Sequence, residues 1–253
     1  MPSISFFATA NTMNVHFVIH EAFEAPGAYE TWVRDRGHTA TYSRVYAHEP
    51  LPSSASDFDM LVVLGGPQSP TTTRAECPHF DAAAECALIR QAVDAERAVV
   101  GVCLGAQLIG TALGAPHAHS PEKEIGVFPI TLTAAGQAHP MFAGFPQTLL
   151  TGHWHSDMPG LTPTAQVLAS SEGCPRQIIA YGPRVYGFQC HMEFTPQVVA
   201  LLIDATAGDF AALTGHRFVQ QPPALLANDY SEMNRLLFSF LDALASATQQ
   251  RQA

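Results

Sequence analysis

A cysteine between two glycines is the first feature of the sequence that could do chemistry. Cys103 lies two residues after Gly101 and two before Gly105, in the order Gly-Val-Cys-Leu-Gly. This spacing is typical of a nucleophile elbow, in which the glycines allow a strand and the following helix to approach closely. The thiol would lie at a helix N-terminus, where unpaired N–H groups stabilise a thiolate. The alternative is an unreactive, buried cysteine at a strand end.

A histidine and a glutamate two residues apart could activate such a thiol. His191 and Glu193 follow an apolar run that reads as a strand. Residues two apart in an extended segment project to the same side, so the carboxylate could orient the imidazole. A cysteine nucleophile needs a base held in this way. With twelve histidines in the chain, such a pair also arises by chance.

A glycine pair at the end of another apolar run offers a place to bind negative charge. Gly65 and Gly66 follow residues 60–64, which are all apolar. The backbone N–H groups of Gly66 and Leu104 could together form an oxyanion hole. A plain turn is the alternative interpretation.

A zinc site is a weaker interpretation of the same histidines. His153 and His155, or His117 and His119, could pair with His191, but the sequence fixes no third ligand. The five cysteines are odd in number and lack Cys-x-x-Cys spacing, which favours reduced thiols over disulfides or a four-cysteine zinc site. No metal and no cofactor are expected.

The apolar pattern predicts how these groups are positioned. Continuous apolar runs at 60–64 and 98–102 predict parallel strands buried on both faces. A strand at 15–19 and helices at 28–36 and 80–96 complete an alternation that predicts a doubly wound, mostly parallel α/β sheet flanked by helices. Sites in such folds lie beyond the carboxyl ends of the strands.

The second half of the chain predicts a smaller mixed or antiparallel extension of the sheet. Its predicted strands are 125–131, 166–169, 177–181 and 184–190. Apolar residues at helical spacing over 233–244 predict a C-terminal helix with one face on the core. The domain is expected to span residues 15–247, with residues 1–14 as an N-terminal appendage.

Composition limits the partners. The net charge is −10, and Lys123 is the only lysine, so nucleic acid and anionic membrane surfaces are not expected to bind. No apolar run reaches the roughly 18 residues of a membrane span. No Lys or Arg precedes Arg34, so a charged secretory leader is not expected and a cytoplasmic location is.

Taken in order, these motifs resemble those of the class I glutamine amidotransferases, and among them the stand-alone proteins similar to the amidotransferase domain of GMP synthetase. The resemblance covers about residues 15–244. It rests on residues 65–67 (Gly-Gly-Pro), 103–107 (Cys-Leu-Gly-Ala-Gln), 123–126 (Lys-Glu-Ile-Gly), 155–157 (His-Ser-Asp) and 187–193 (Gly-Phe-Gln-Cys-His-Met-Glu). The sequence departs from the family at Met192, where proline is more common, and at Cys190, where an aromatic residue is common.

The resemblance implies a flavodoxin-like class I glutamine amidotransferase fold and a Cys-His-Glu triad. Cys103 would attack the side-chain amide carbon of glutamine or of a γ-glutamyl compound, His191 would protonate the leaving amine, and Glu193 would orient His191. The oxyanion would be held by the N–H groups of Gly66 and Leu104. Substrate-binding positions implied in the same way are Gly65, Gln68, Gln107, His155 and Asp157. For the last two, a capped surface turn is the alternative.

Three functions remain open from the sequence. The chain could be a stand-alone hydrolase of a γ-glutamyl amide or peptide, a glutaminase subunit that supplies ammonia to a separate synthetase, or a catalytically silent binding module. No G-x-x-x-x-G-K phosphate loop occurs. An α/β-hydrolase also has an elbow, but its acid normally precedes its histidine. The α/β proteins with a glyoxalase-like or chaperone cysteine do not explain the His-x-Glu pair.

Overall fold

A computed structural model describes residues 12–250 of the chain. Within that range, nine strands form one sheet in the order β2-β1-β3-β4-β9-β8-β7-β5-β6. The strands are β1 (Asn14–Ile19), β2 (Thr39–Arg44), β3 (Met60–Val63), β4 (Ala98–Val102), β5 (Ala118–Leu132), β6 (Thr148–Met158), β7 (Gln166–Ser171), β8 (Ile178–Gly182) and β9 (Val185–Phe188).

Helices cover the two faces of this sheet. They are α1 (Ala28–Asp35), α2 (Ala82–Asp94), α3 (Leu104–Ala112), α4 (Ala134–Ala138), α5 (Pro196–Ala205), α6 (Pro222–Ala227) and α7 (Ser231–Gln249). None of these helices is long and apolar enough to cross a membrane.

The first five strands of the sheet order are parallel, and all of them except the edge strand β2 are almost entirely buried. β1 pairs with β2 and β3, β3 with β4, and β4 with β9, all in parallel. Helices α1 and α7 pack on one face of the sheet through Trp32 and Phe240, whereas α2 and α3 pack on the other through Ile89 and Leu108. The predicted doubly wound α/β architecture is confirmed.

The remaining strands form the predicted antiparallel extension. β9 pairs with β8, β8 with β7, β7 with β5, and β5 with β6, each antiparallel. β5 is longer than its predicted range of 125–131, and β6 was not predicted. The inward positions of β6 include Thr151 and His153, which are buried through hydrogen bonds rather than as apolar residues. Apolar alternation therefore does not reveal this strand.

Three other differences have local causes. The predicted helix at 80–96 begins later, because the Asp81 side chain accepts the N–H of Ala84 as a cap, and it ends before Glu96, which has a φ of 56°. Strand β2 was not predicted, since its alternating side chains are polar and partly exposed. Helices α5 and α6 were also missed, although Thr195 caps α5 and a proline begins it.

Most of the predicted N-terminal appendage, residues 1–14, lies outside the described residues. Of the part that is described, Met13 is buried and Asn14 begins β1. The division into an appendage and a domain of residues 15–247 stays a prediction.

Candidate functional site

Cys103 lies at a sharp bend between β4 and α3. Its φ of 50° and ψ of −106° form an unusual conformation for a residue with a side chain. A Cβ atom on Gly105 would overlap the backbone carbonyl of Val63, and one on Gly101 would overlap that of Gly105. Both glycines are therefore required by close packing, as in a nucleophile elbow.

The elbow also lies against the glycine pair that follows β3. The N–H of Gly105 donates to the Leu64 carbonyl at 3.2 Å. A Cβ on Gly66 would come within 2.9 Å of the Leu104 side chain, so these two residues are neighbours. Within residues 12–250, neither the N–H of Gly66 nor that of Leu104 donates to another protein group. Both donors are available to a ligand.

Adjacent parallel strands bring His191 to the cysteine. β4 and β9 pair up to Val102 and Phe188, and the N–H of Cys103 donates to the Phe188 carbonyl at 2.7 Å. Three residues beyond β9, the backbone of His191 exchanges two hydrogen bonds with Gly152 of β6, at 2.7 and 2.9 Å. His191 thus lies past the same edge of the sheet as Cys103.

The imidazole of His191 is held between a carboxylate and the thiol. Nδ1 lies 2.6 Å from Oε1 of Glu193. Burial lowers the pKa of His191, but the charge of Glu193 and the neighbouring Cys103 thiol outweigh burial and raise that pKa well above its ordinary value. Nε2 is buried and bonded to no other group of the described chain. The ring thus favours the protonated form and has one nitrogen free for the thiol or a substrate.

Two other elements fix the backbone on either side of Glu193. The N–H of Ala28, at the start of α1, donates to the Glu193 carbonyl at 3.0 Å, and a Cβ on Gly27 would overlap that carbonyl. Asn234 of α7 donates to the carbonyls of Met192 and Phe194 at 2.7 and 3.0 Å. These bonds restrain the segment where the family more often has a proline.

A cavity of about 610 Å³ opens over the thiol. It is lined by Cys103 and by five of the sequence-predicted site residues: Gly66, Gln68, Gln107, His155 and Asp157. Gly65 and Leu104 lie just outside the lining, and the Gly65 carbonyl accepts a hydrogen bond from His20 at 2.8 Å.

Two glutamines project polar groups toward the cavity. The side-chain amide of Gln68 donates to Glu21 at 2.6 Å, and its oxygen is buried without a partner in the described chain. The amide of Gln107 donates to Gln189 at 3.2 Å. An oxygen or nitrogen left without a partner in a buried site is costly, so the oxygen of Gln68 is available to a hydrogen-bond donor.

His155 and Asp157 lie on β6 rather than in a capped turn. The Asp157 carboxylate contacts Nδ1 of His119 at 2.6 Å. His155 is buried and contacts Glu124 at 3.2 Å. The zinc pairings with His191 are not formed, since the possible metal-ligand clusters in the described residues do not include it.

Sequence reasoning missed three residues of the site. The Glu24 carboxylate lies next to Gly65, and burial raises its pKa. The backbone carbonyl of Trp154 accepts from the Cys103 thiol at 3.8 Å, and Phe210 forms an apolar wall of the cavity. Glu24 follows the carboxyl end of β1, so the rule that sites lie at such ends could have identified it. No local signal marks Trp154 or Phe210.

Comparison with known proteins identifies the family of the chain. Residues 28–202 match the family model for glutamine amidotransferase class-I. The chain is 59% identical over 239 residues to the glutamine amidotransferase-like protein YfeJ of Salmonella typhimurium, covering 94% of this chain and all of that protein.

Two solved structures share the fold. The crystal structure of SMU.1228c superposes with a TM-score of 0.90 at 52% identity, covering 92% of this chain and 99% of the other. A glutamine amidotransferase from Thermotoga maritima gives a TM-score of 0.81 at 24% identity, covering 92% and 97%. The predicted class I glutamine amidotransferase fold is therefore confirmed. With most of its length matched by the family model, the chain belongs to the class I glutamine amidotransferases.

Proposed function

We propose that this protein hydrolyses the side-chain amide of glutamine or of a γ-glutamyl amide or peptide through a thioester on Cys103. The observation that carries the proposal is a row of three groups that begins with Cys103 in the cavity wall and continues through the buried His191 to Glu193. The Cys103 thiol faces an imidazole whose other nitrogen is held 2.6 Å from Glu193. Nucleophile, base and orienting acid are the parts that cysteine-dependent acyl transfer requires.

The first half of the reaction forms the thioester. The raised pKa of His191 favours a thiolate–imidazolium pair, so the sulfur attacks as an anion. The sulfur bonds to the amide carbon, and the carbonyl electrons move to oxygen. The N–H groups of Gly66 and Leu104 are available to hold this oxyanion. His191 then gives its Nε2 proton to the leaving nitrogen, the C–N bond breaks, and ammonia or an amine departs.

The second half returns the enzyme. His191, now neutral, takes a proton from water as the water oxygen attacks the thioester carbon. The C–S bond breaks, the sulfur leaves as the thiolate, and the γ-carboxylic acid that forms releases its proton to water or to the departed amine. Glu193, 2.6 Å from Nδ1, holds the ring in one tautomer throughout.

The shape of the cavity favours a substrate larger than glutamine. Its volume of about 610 Å³ falls in the range of pockets that enclose drug-sized ligands. Polar groups lie beside the thiol, whereas Phe210 and Leu213 of the loop after α5 line another part of the wall. We therefore place the glutamyl group near Gln68 and Gln107, and an amine half with apolar surface against the loop.

A substrate panel tests the proposal. Purified protein is incubated with glutamine and with γ-glutamyl derivatives of small, aliphatic and aromatic amines, and the released amine is measured. Hydrolysis of the larger amides by the isolated chain is expected, with a higher kcat/KM than for glutamine. If the isolated chain hydrolyses none of these amides until a synthetase is added, the protein is instead an ammonia-supplying subunit. If the chain binds these compounds tightly but hydrolyses none of them, the protein is a catalytically silent binding module.

A further inference from the structure

A cluster of four polar side chains is buried between β5, β6 and the start of β8, behind the wall of the cavity. It consists of Glu124, His153, His155 and Gln177, and we call it the Glu124 cluster. Glu124, His153 and Gln177 are completely buried, and His155 is 6% exposed. The proposed reaction uses none of these four side chains as an acid, a base or a nucleophile.

One atom from each side chain points to a common centre. Oε2 of Glu124 lies 3.2 Å from Nε2 of His155, 3.6 Å from Nδ1 of His153 and 2.7 Å from Nε2 of Gln177. Nδ1 of His153 lies 3.4 Å from Nε2 of His155, and Nε2 of Gln177 lies 3.3 Å from each of these two ring nitrogens. Four points separated by 2.7 to 3.6 Å form a distorted tetrahedron. A tetrahedral zinc ion with bonds of about 2.0–2.1 Å holds its ligand atoms about 3.3–3.4 Å apart. The cluster has the size and shape of that coordination shell.

The amide of Gln177 completes the set if its two ends exchange places. Oxygen and nitrogen of a glutamine amide occupy nearly the same positions and are distinguished by their partners. Here Nε2 of Gln177 donates to Glu124 at 2.7 Å and to the Ser171 hydroxyl at 2.9 Å and also faces two imidazole nitrogens, whereas Oε1 is buried without a partner in the described chain. Rotation of the amide would turn Oε1, a metal ligand, toward the centre.

The charges of the cluster also call for a cation. Among the described residues, no Lys or Arg pairs with the buried carboxylate of Glu124, and its Oε1 has no partner. The rings of His153 and His155 are buried beside this carboxylate, and each presents one nitrogen to its Oε2, at 3.6 and 3.2 Å. Buried charges in proteins are paired or coordinate metals.

Surrounding groups orient the ligands as they do around known metals. The other ring nitrogen of His153 contacts the Phe128 carbonyl at 3.4 Å and the Thr151 hydroxyl at 3.1 Å. The Ser171 hydroxyl donates to the ligating oxygen of Glu124 at 2.9 Å. Such contacts fix the ring tautomer and the carboxylate direction at metal centres. A second cavity, of about 320 Å³, is lined by Glu124 and Ser171 on another side of the cluster.

We propose that the Glu124 cluster binds one divalent transition-metal ion, with zinc the best fit, in a closed structural site. All four positions come from the protein, which distinguishes structural from catalytic zinc. The ion would tie β5 to β6 and to the start of β8, and it would fix His155 in the wall of the substrate cavity.

Metal content tests the proposal independently of turnover. The full chain is produced without a polyhistidine tag, dialysed against zinc and then against buffer, and analysed by elemental mass spectrometry. A single zinc ion per chain is expected. Loss of a residue that supports a metal ligand typically weakens metal binding by roughly 10–100-fold, and Ser171→Ala should weaken zinc binding by that amount. Glu124→Gln and His155→Gln, which change ligands themselves, should weaken zinc binding by at least as much.

A second cluster on the same chain supplies the control. Glu21, Cys77 and His79 also lie close enough to share an ion, but they are only partly buried. Cys77→Ser should retain the zinc. Loss of zinc from Cys77→Ser with retention in Glu124→Gln would assign the ion to the other cluster and overturn the proposal, as would failure of the native chain to bind zinc.

Cobalt substitution tests the site in the native chain, so its result does not depend on whether the variants fold. Co²⁺ in the Glu124 cluster should give visible absorption with the intensity of four-coordinate cobalt and no thiolate-to-cobalt charge-transfer band, because no sulfur is a ligand. A thiolate band, or the weak absorption of six-coordinate cobalt, would contradict the assignment.

Discussion

The imidazole of His191 and the carboxylate of Glu193 lie 2.6 Å apart, two residues from each other along the chain and both nearly completely buried. The sequence predicts an extended segment here, but the backbone is not a regular strand: His191 forms an isolated bridge with Gly152, and residues 192 and 193 lie in a bend. Three elements hold this backbone: Gly152 of β6, the start of α1, and Asn234 of α7. The contact therefore depends on the whole fold rather than on a local turn.

Replacing the carboxylate by an amide should remove most of the activity. Glu193→Gln keeps the shape of the side chain but cannot stabilise the imidazolium or fix its tautomer. The loss expected in kcat is about 10⁴-fold, the size found when the acid of a serine-protease triad is so changed. Steady-state release of amine measures it. Glu172→Gln, at an exposed carboxylate, is the control and should keep full activity; an equal loss in both variants would contradict the role of Glu193.

Removing the base should separate catalysis from folding. His191→Ala is expected to lower kcat by several orders of magnitude, because a base acting in a unit with its nucleophile cannot be replaced by the other members. Circular dichroism should remain unchanged apart from a lower melting temperature, since the ring stacks on Phe194 with centroids 4.3 Å apart. His216→Ala, at an exposed position, is the matched variant. Activity that survives His191→Ala would rule out the proposed base.

The elbow glycine should tolerate no side chain. Gly105→Ala places a methyl group on the backbone carbonyl of Val63, and backbone cannot move aside cheaply. A loss of more than about 4 kcal/mol in the free energy of unfolding, or no folded protein, is expected. Gly208→Ala, where nothing lies within 4 Å, should change that free energy by no more than about 0.5 kcal/mol. Urea unfolding of both variants gives the comparison, and a mild effect at Gly105 would contradict the close packing.

Acid should destabilise the fold partly through His16. Burial lowers the pKa of this histidine to about 4, against 6.5 in the unfolded chain, despite the opposing charge of Asp57. Between these values the unfolded state binds more protons, so stability falls as pH drops from about 6.5 to about 4, by up to about 3 kcal/mol. Urea unfolding at several pH values in this range should show that the free energy of unfolding changes less with pH for His16→Gln than for the native chain. An equal pH dependence of this free energy in the two proteins would show that His16 is not buried in its neutral form.

The restraint from α7 should matter for turnover. Asn234→Ala removes both hydrogen bonds to the carbonyls that flank Glu193, and buried unpaired carbonyls cost about 1–3 kcal/mol each. A lower melting temperature is expected together with a fall in kcat and little change in KM, because the substrate pocket is untouched. Asn234→Asp, which cannot donate, should behave alike. A variant that is less stable but turns over normally would show that Asn234 supports the fold alone.

The residues that could be predicted from the sequence are those fixed by local rules. The Gly101 and Gly105 spacing identifies the elbow because only glycine fits between β4, α3 and the Val63 carbonyl. Buried parallel strands such as β3 and β4 read as continuous apolar runs. These two signals are enough for the architecture and for the position of Cys103.

The parts that could not be predicted are assembled from distant residues. β6 is hidden because its buried positions include histidines that are satisfied by Glu124 and Gln177 of other strands or loops. Glu24 and Phe210 reach the site from loops whose paths depend on tertiary packing. A single sequence carries no pattern that links them to Cys103.

The most direct test of the account is the covalent state of Cys103 during turnover. The Glu193→Gln variant is mixed with a γ-glutamyl amide, quenched in acid, digested, and analysed by peptide mass spectrometry. Burial raises the pKa of the thiols of Cys86, Cys174 and Cys190, which keeps them protonated and unreactive. The account predicts a glutamyl group on the peptide containing Cys103 and on no other. Amine release without any such adduct, or an adduct on a different cysteine, would contradict it.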